Sequence, residues 1–82
     1  MKKNMNYEDI FKCIADALNV NINKINIDSH MLEFEEWDSF GHLGILVALD
    51  KKFKGKVASI SEMASANSIA KIIELLKHHK LI

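Results

Sequence analysis

The sequence predicts an all-α fold, a small four-helix bundle of three main helices and one short one. Three observations carry this expectation. Apolar residues recur at helical spacing near both ends of the chain. Helix-start residues divide it at Asn6, Asp38, Ser59 and Asn67 or Ser68. The one stretch that alternates like a strand has no second strand to pair with.

The first helix is expected from Tyr7 to Leu18. Asn6 can cap it, and Glu8 and Asp9 suit the positive end of its dipole. Ile10, Cys13, Ile14, Ala17 and Leu18 form its apolar stripe. From Asn19 to Trp37 a long connection follows. Val20, Ile22, Ile25 and Ile27 lie there among Asn, Asp and Lys, and are expected to pin a loop to the core. A loop so long in a small domain points to function. The second helix is expected from Asp38, as cap, to about Lys54 beside Gly55. Ser59-Ile60-Ser61-Glu62 has capping-box spacing and opens a short helix ending near Ala66. The last helix runs to about His79, with Ile69, Ile72, Ile73 and Leu76 inward and Lys77, His78, His79 and Lys80 at its negative end.

A chain of 82 residues is long enough for one domain, residues 1–82, and no more. Its apolar fraction of 49% is ample for a core and argues against disorder. Eleven basic residues balance eleven acidic ones, so nothing suggests a nucleic-acid partner. Cys13 is the only cysteine, which excludes an internal disulfide and fits a reducing compartment. The longest apolar run, Leu43 to Leu49, is seven residues, against about 20 for a membrane span. Met1-Lys2-Lys3-Asn4 turns polar before any apolar stretch, so no signal peptide is expected. The expectation is a cytoplasmic monomer.

Trp37-Asp38-Ser39-Phe40-Gly41-His42-Leu43 is the segment that carries chemistry. Ser39 falls in the first turn of the second helix. Unpaired N–H groups and the dipole there favour a phosphate by roughly 0.3–1 kcal/mol. At about 100° per residue, Ile45, Leu46, Leu49 and Phe53 form the core stripe, with His42 at its edge. Leu43 and Val47 lie instead on the side of Ser39, with Phe40. An apolar patch beside such a serine suits a partner enzyme that must hold and read it.

Asp38-Ser39-Phe40, followed by Leu43, Leu46, Leu49-Asp50 and Phe53, resembles the attachment motif of acyl carrier proteins and related peptidyl carrier domains. The order of elements resembles that family over nearly the whole chain. The resemblance implies that the protein is a substrate of other enzymes and not itself an enzyme. Ser39 would receive 4′-phosphopantetheine from coenzyme A through a phosphopantetheinyl transferase that uses a divalent metal ion. Asp38 would assist recognition or metal binding. The reactive thiol would belong to the arm, not to Cys13, and would carry an acyl or aminoacyl thioester. Phe40, Leu43, Val47 and Lys51 would face the partners: the transferase, an acyl- or aminoacyl-loading ligase or transferase, and a downstream synthase or transferase. Fatty-acid carriers usually present an acidic second helix to basic enzymes. Here Gly41 and Gly44 stand at positions often acidic, and Lys51-Lys52 follow Asp50. The acids cluster earlier, at Glu33, Glu35, Glu36 and Asp38. A dedicated biosynthetic pathway, with loading by an adenylating ligase, stands beside fatty-acid synthesis as an expectation.

Other readings remain open at this point. The chain could be an interaction module that is never modified, or a small hydrolase using Ser39 and His42. Nothing in the sequence orients that imidazole or supplies oxyanion donors, and packing of His42 near Trp37 is the simpler expectation. Trp37 is a loop anchor or a lid. Cys13 is expected to be a buried apolar residue. His30, His42, His78 and His79 show no metal-ligand spacing with Cys13. Leu43 and Val47 are either a partner face or packed beneath the long loop.

Overall fold

The computed structural model describes residues 7–82. Its helices are α1 (Tyr7–Leu18), α2 (Ser39–Lys52) and α3 (Ile69–His78), joined by 3₁₀ turns at Ile22–Lys24, Met31–Glu33 and Ser61–Ser65. Among the described residues there is no strand, only an isolated antiparallel bridge between His30 and Ser68. No helix among them is long and apolar enough to cross a membrane. The expected cap Asn6 lies outside the described residues.

α1 and α3 are amphipathic and bury one stripe each. In α1 this is Ile10, Ile14, Ala15 and Leu18, with Cys13 half-buried at its margin. In α3 it is Ile69, Ile72, Ile73, Leu75 and Leu76. α2 differs, because its apolar residues run all the way round. His42, Ile45 and Leu49 are buried on one side, while Phe40, Leu43 and Val47 are exposed on the other. Leu46, expected in the core, is half-buried and faces a groove beside the Ser61–Ser65 turn.

Of the two glycines in α2, only Gly41 is required for a close approach. A Cβ on Gly41 would overlap the Glu36 carbonyl oxygen and press on Leu18 of α1. One on Gly44 would meet only the Ala17 carbonyl oxygen, at 3.6 Å. Gly41 is therefore glycine because the loop backbone crosses the helix there, which leaves no room for an acidic side chain.

Three expectations need correction. Of the loop residues Val20, Ile22, Ile25 and Ile27, only Ile25 is buried. Val20 is half-buried against the core, Ile22 and Ile27 are exposed, and the connection is held besides Ile25 by Trp37 and by backbone bonds to the start of α3: Met31 N–H donates to the Asn67 carbonyl (2.8 Å) and Ile69 N–H donates to the Ser29 carbonyl (2.9 Å). Secondly, the short fourth helix is a 3₁₀ turn. Ile60, Met63 and Ala66 are buried at a strict three-residue spacing, which matches the 3₁₀ repeat. Ser59 does not cap it, because its Oγ donates to the Lys56 carbonyl. Of the two caps expected for α3, Ser68 is the one, accepting the Lys71 N–H.

The third correction concerns helix ends. α2 stops at Lys52, and the left-handed residue that turns the chain is Lys54, with Gly55 following at φ +85°. Gly55 N–H reaches back to the Asp50 carbonyl at 2.7 Å, and Lys54 N–H to Lys51. The same pattern closes α1 at Asn19 and α3 at Lys80. A non-glycine residue in this conformation carries a steric cost.

Gly41→Ala is expected to destabilise the protein by about 1–3 kcal/mol through overpacking. Gly44→Ala should be neutral or stabilising, since alanine is the better helix former by about 1 kcal/mol. Denaturant unfolding of the two variants compares them directly.

Candidate functional site

The start of α2 is built by Asp38. Its backbone is extended, its Oδ1 accepts the Gly41 N–H at 2.8 Å, and its carbonyl accepts the His42 N–H at 2.8 Å. This satisfies one of the free donors of the first turn and leaves those of Ser39 and Phe40 without a helical acceptor. Ser39 is the first helical residue and is exposed. Among the described residues its hydroxyl has no hydrogen-bond partner. It borders a concavity of about 240 Å³ with Met31, His42 and the Ala64-Ser65-Ala66-Asn67 run.

His42 is three residues on and is oriented, but not toward Ser39. Trp37 Nε1–H donates to its Nδ1 at 3.0 Å, and its Nε2 lies 2.8 Å from the Met63 carbonyl oxygen. An indole can only donate and a carbonyl can only accept. The ring is therefore the neutral tautomer, with Nδ1 bare and Nε2 protonated. The Trp37 and His42 rings are tilted by only 13°, close to the common plane that an N–H···N bond at the ring edge requires. Both nitrogens are occupied and both rings are buried. His42 has no lone pair to offer Ser39, so a Ser39–His42 catalytic pair is absent from this geometry. Trp37 is an anchor and not a lid.

The residues expected to face a partner share one surface. Phe40 is 84% exposed, Leu43 57% and Val47 53%. Lys51 is exposed on the same side and lines, with Leu43, Leu46 and Val47, a groove of about 360 Å³. Val57, Ile60 and Met63 form its far wall, and Asp50 lies at its rim. Asp50 also accepts the Val57 and Ala58 N–H groups at 3.1 and 2.8 Å, which fixes the loop that carries that wall. The sequence reading missed the groove because residues 57–64 meet α2 through tertiary packing and hydrogen bonds that no local pattern announces. It also missed Leu32, which is 93% exposed on the loop.

Burial pushes the Cys13 thiol above its ordinary value, with Asp16 adding to the rise and Lys52 opposing it. That disfavours the thiolate, the form a nucleophilic role needs. Among the described residues no group of three or more His, Cys, Asp or Glu could hold a metal ion.

Leu43→Ala and Val47→Ala should each change stability by less than about 0.5 kcal/mol, because these side chains are already in water. Leu49→Ala should cost about 2–5 kcal/mol, and half-buried Leu46 should fall between. Trp37→Phe removes the donor to a buried ring nitrogen and should cost about 1–3 kcal/mol, whereas Ser39→Ala should be near neutral. Thermal or urea melts on this set separate fold from site.

Comparison with known proteins finds no matching family model, no matching curated protein and no matching solved structure.

Proposed function

We propose that this chain is a carrier protein of the acyl-carrier type, modified on Ser39 and itself a substrate of other enzymes. The observation that supports the reading most is the state of Ser39. It is an exposed hydroxyl without an internal partner, on the first turn of a capped helix, with free backbone N–H groups beside it. A phosphodiester formed there gains from the helix dipole and from those donors. The resemblance of Asp38-Ser39-Phe40 and the leucines after it to the carrier attachment motif supports the same conclusion.

In this reading Ser39 Oγ attacks the β-phosphorus of coenzyme A. A new O–P bond forms, the pyrophosphate P–O bond breaks, adenosine 3′,5′-bisphosphate leaves, and the serine proton passes to the transferase. The 4′-phosphopantetheine arm supplies the thiol that holds an acyl or aminoacyl group as a thioester. The chain's own contribution is positional. Asp38 caps the helix through Oδ1, which leaves Oδ2 to face the transferase or its metal ion. Phe40, Leu43, Val47 and Lys51 offer the partner a face that does not belong to the core. The hydrolase reading loses its base to Trp37 and Met63. The loading ligase and the downstream synthase or transferase belong to a fatty-acid or a dedicated pathway, and both pathways fit the geometry.

Incubation with coenzyme A, magnesium and a broad-specificity phosphopantetheinyl transferase should add one phosphopantetheine unit, read by intact mass. Ser39→Ala should abolish the addition and keep the helix content. A wild type that is never modified, or an alanine variant that still is, would sink the carrier reading.

A further inference from the structure

The outward row of α2 has the repeat of a helix–helix seam. Phe40 and Val47 stand one heptad apart with Leu43 between them, and all three are exposed. Lys51 continues the row one turn farther on and is exposed too. α1 and α3 are amphipathic, whereas α2 is apolar all round. A helix of that kind is ordinarily covered on every side.

The two ends of this row carry opposite charge. Glu35, Glu36 and Asp38 precede it, Lys51, Lys52 and Lys54 close it, and all six are exposed. Among the described residues Glu35, Glu36 and the three lysines take part in no ion pair within 4.0 Å. The 14 residues of α2 span about 20 Å. That exceeds two Debye lengths of about 8 Å, so neither end neutralises the other within one molecule.

A face with this layout is complementary to itself. We propose that the chain pairs with a second copy of itself through the outward row of α2, the two helices antiparallel about a two-fold axis midway between Leu43 and Val47. Leu43 then packs on the second copy's Val47, and Val47 on its Leu43. Phe40 lies level with the second copy's Lys51, and Asp38 and Glu36 lie level with its Lys52 and Lys54. A parallel pair would set acid against acid and lysine against lysine. The apolar row supplies the contact, and the charge sets its direction. A seam of two helical turns falls well below the roughly 800 Å² per partner of a standard interface, so the pair is weak and exchanging. This departs from the monomer expected from the sequence. It does not rest on the carrier reading, but it uses the same face, so a self-paired copy is closed to the proposed enzyme partners.

Sedimentation of the full chain from about 10 µM to about 1 mM should show the average mass rising toward, and not past, that of two chains. Val47→Glu should abolish the rise without lowering the melting temperature of a dilute sample, because the side chain is exposed. Paired Glu35→Lys and Glu36→Lys, or paired Lys52→Glu and Lys54→Glu, should each weaken pairing about tenfold or more at low salt, and the variant that carries all four should regain it. Paired Glu8→Lys and Glu74→Lys, which alters net charge equally but on α1 and α3, should weaken it far less. A chain that stays single to about 1 mM overturns the inference and leaves the face to a different partner. Association past two copies, a fourfold variant no better than either pair, or a control as damaging as the α2 reversals also overturns it. Modification of Ser39, read separately by intact mass, stands or falls independently of these results.

Discussion

The structure depends on a short chain of hydrogen bonds that runs from Trp37 through His42 to the Met63 carbonyl. It joins the end of the long loop, the first turn of α2 and the 3₁₀ turn before α3, three segments separated in sequence. Buried polar groups are costly when unpaired, and here each has its partner; among the described residues no buried side-chain nitrogen or oxygen is left over. The chain also has direction. It begins on a group that only donates and ends on one that only accepts, so a single histidine tautomer completes it. With Gly41 admitting the Glu36 carbonyl against α2, it fixes where the loop delivers the chain into the helix.

The functional consequence is a division of labour within one turn of helix. Asp38 closes the backbone, His42 points inward, and Ser39 is exposed with a hydroxyl that no group among the described residues occupies. A histidine three residues from a serine invites a catalytic reading. Its surroundings give it a structural duty, with both ring nitrogens engaged away from the Ser39 hydroxyl. The apolar surplus of α2 fits the same division. Phe40, Leu43 and Val47 lie outside the core, and an exposed apolar row beside an exposed serine is the kind of surface that the proposed partner would recognise. Asp50 ties down the loop after α2, so the groove walls next to that row are held by hydrogen bonds as well as by packing.

Much of this was legible in the sequence where the signal is local. The span of α1, the cap at Asp38, the inward face of α3 and the outward placement of Leu43 and Val47 follow from spacing and capping chemistry. What was not legible depends on contacts between distant segments. Ile22 and Ile27 look like Ile25 in sequence, and only the final path of the loop decides which is covered. Leu46 sits on the core stripe by angle, but its neighbour there is a turn with open space beside it. Gly41 looked like a missing acidic residue, and its reason is a carbonyl oxygen from five residues earlier. α2 closes before the expected Lys54, because the Gly55 N–H bonds back to the Asp50 carbonyl and both Lys54 and Gly55 turn through positive φ.

The claim that His42 belongs to the fold, and leaves Ser39 to an outside enzyme, is open to one direct measurement. A long-range ¹H–¹⁵N spectrum of the labelled protein reads the protonation of each ring nitrogen. The account predicts a His42 with Nε2 protonated and Nδ1 bare, in slow exchange with water, and with the same pattern before and after Ser39 is modified. A His42 protonated on Nδ1, or averaging rapidly between tautomers, would contradict it.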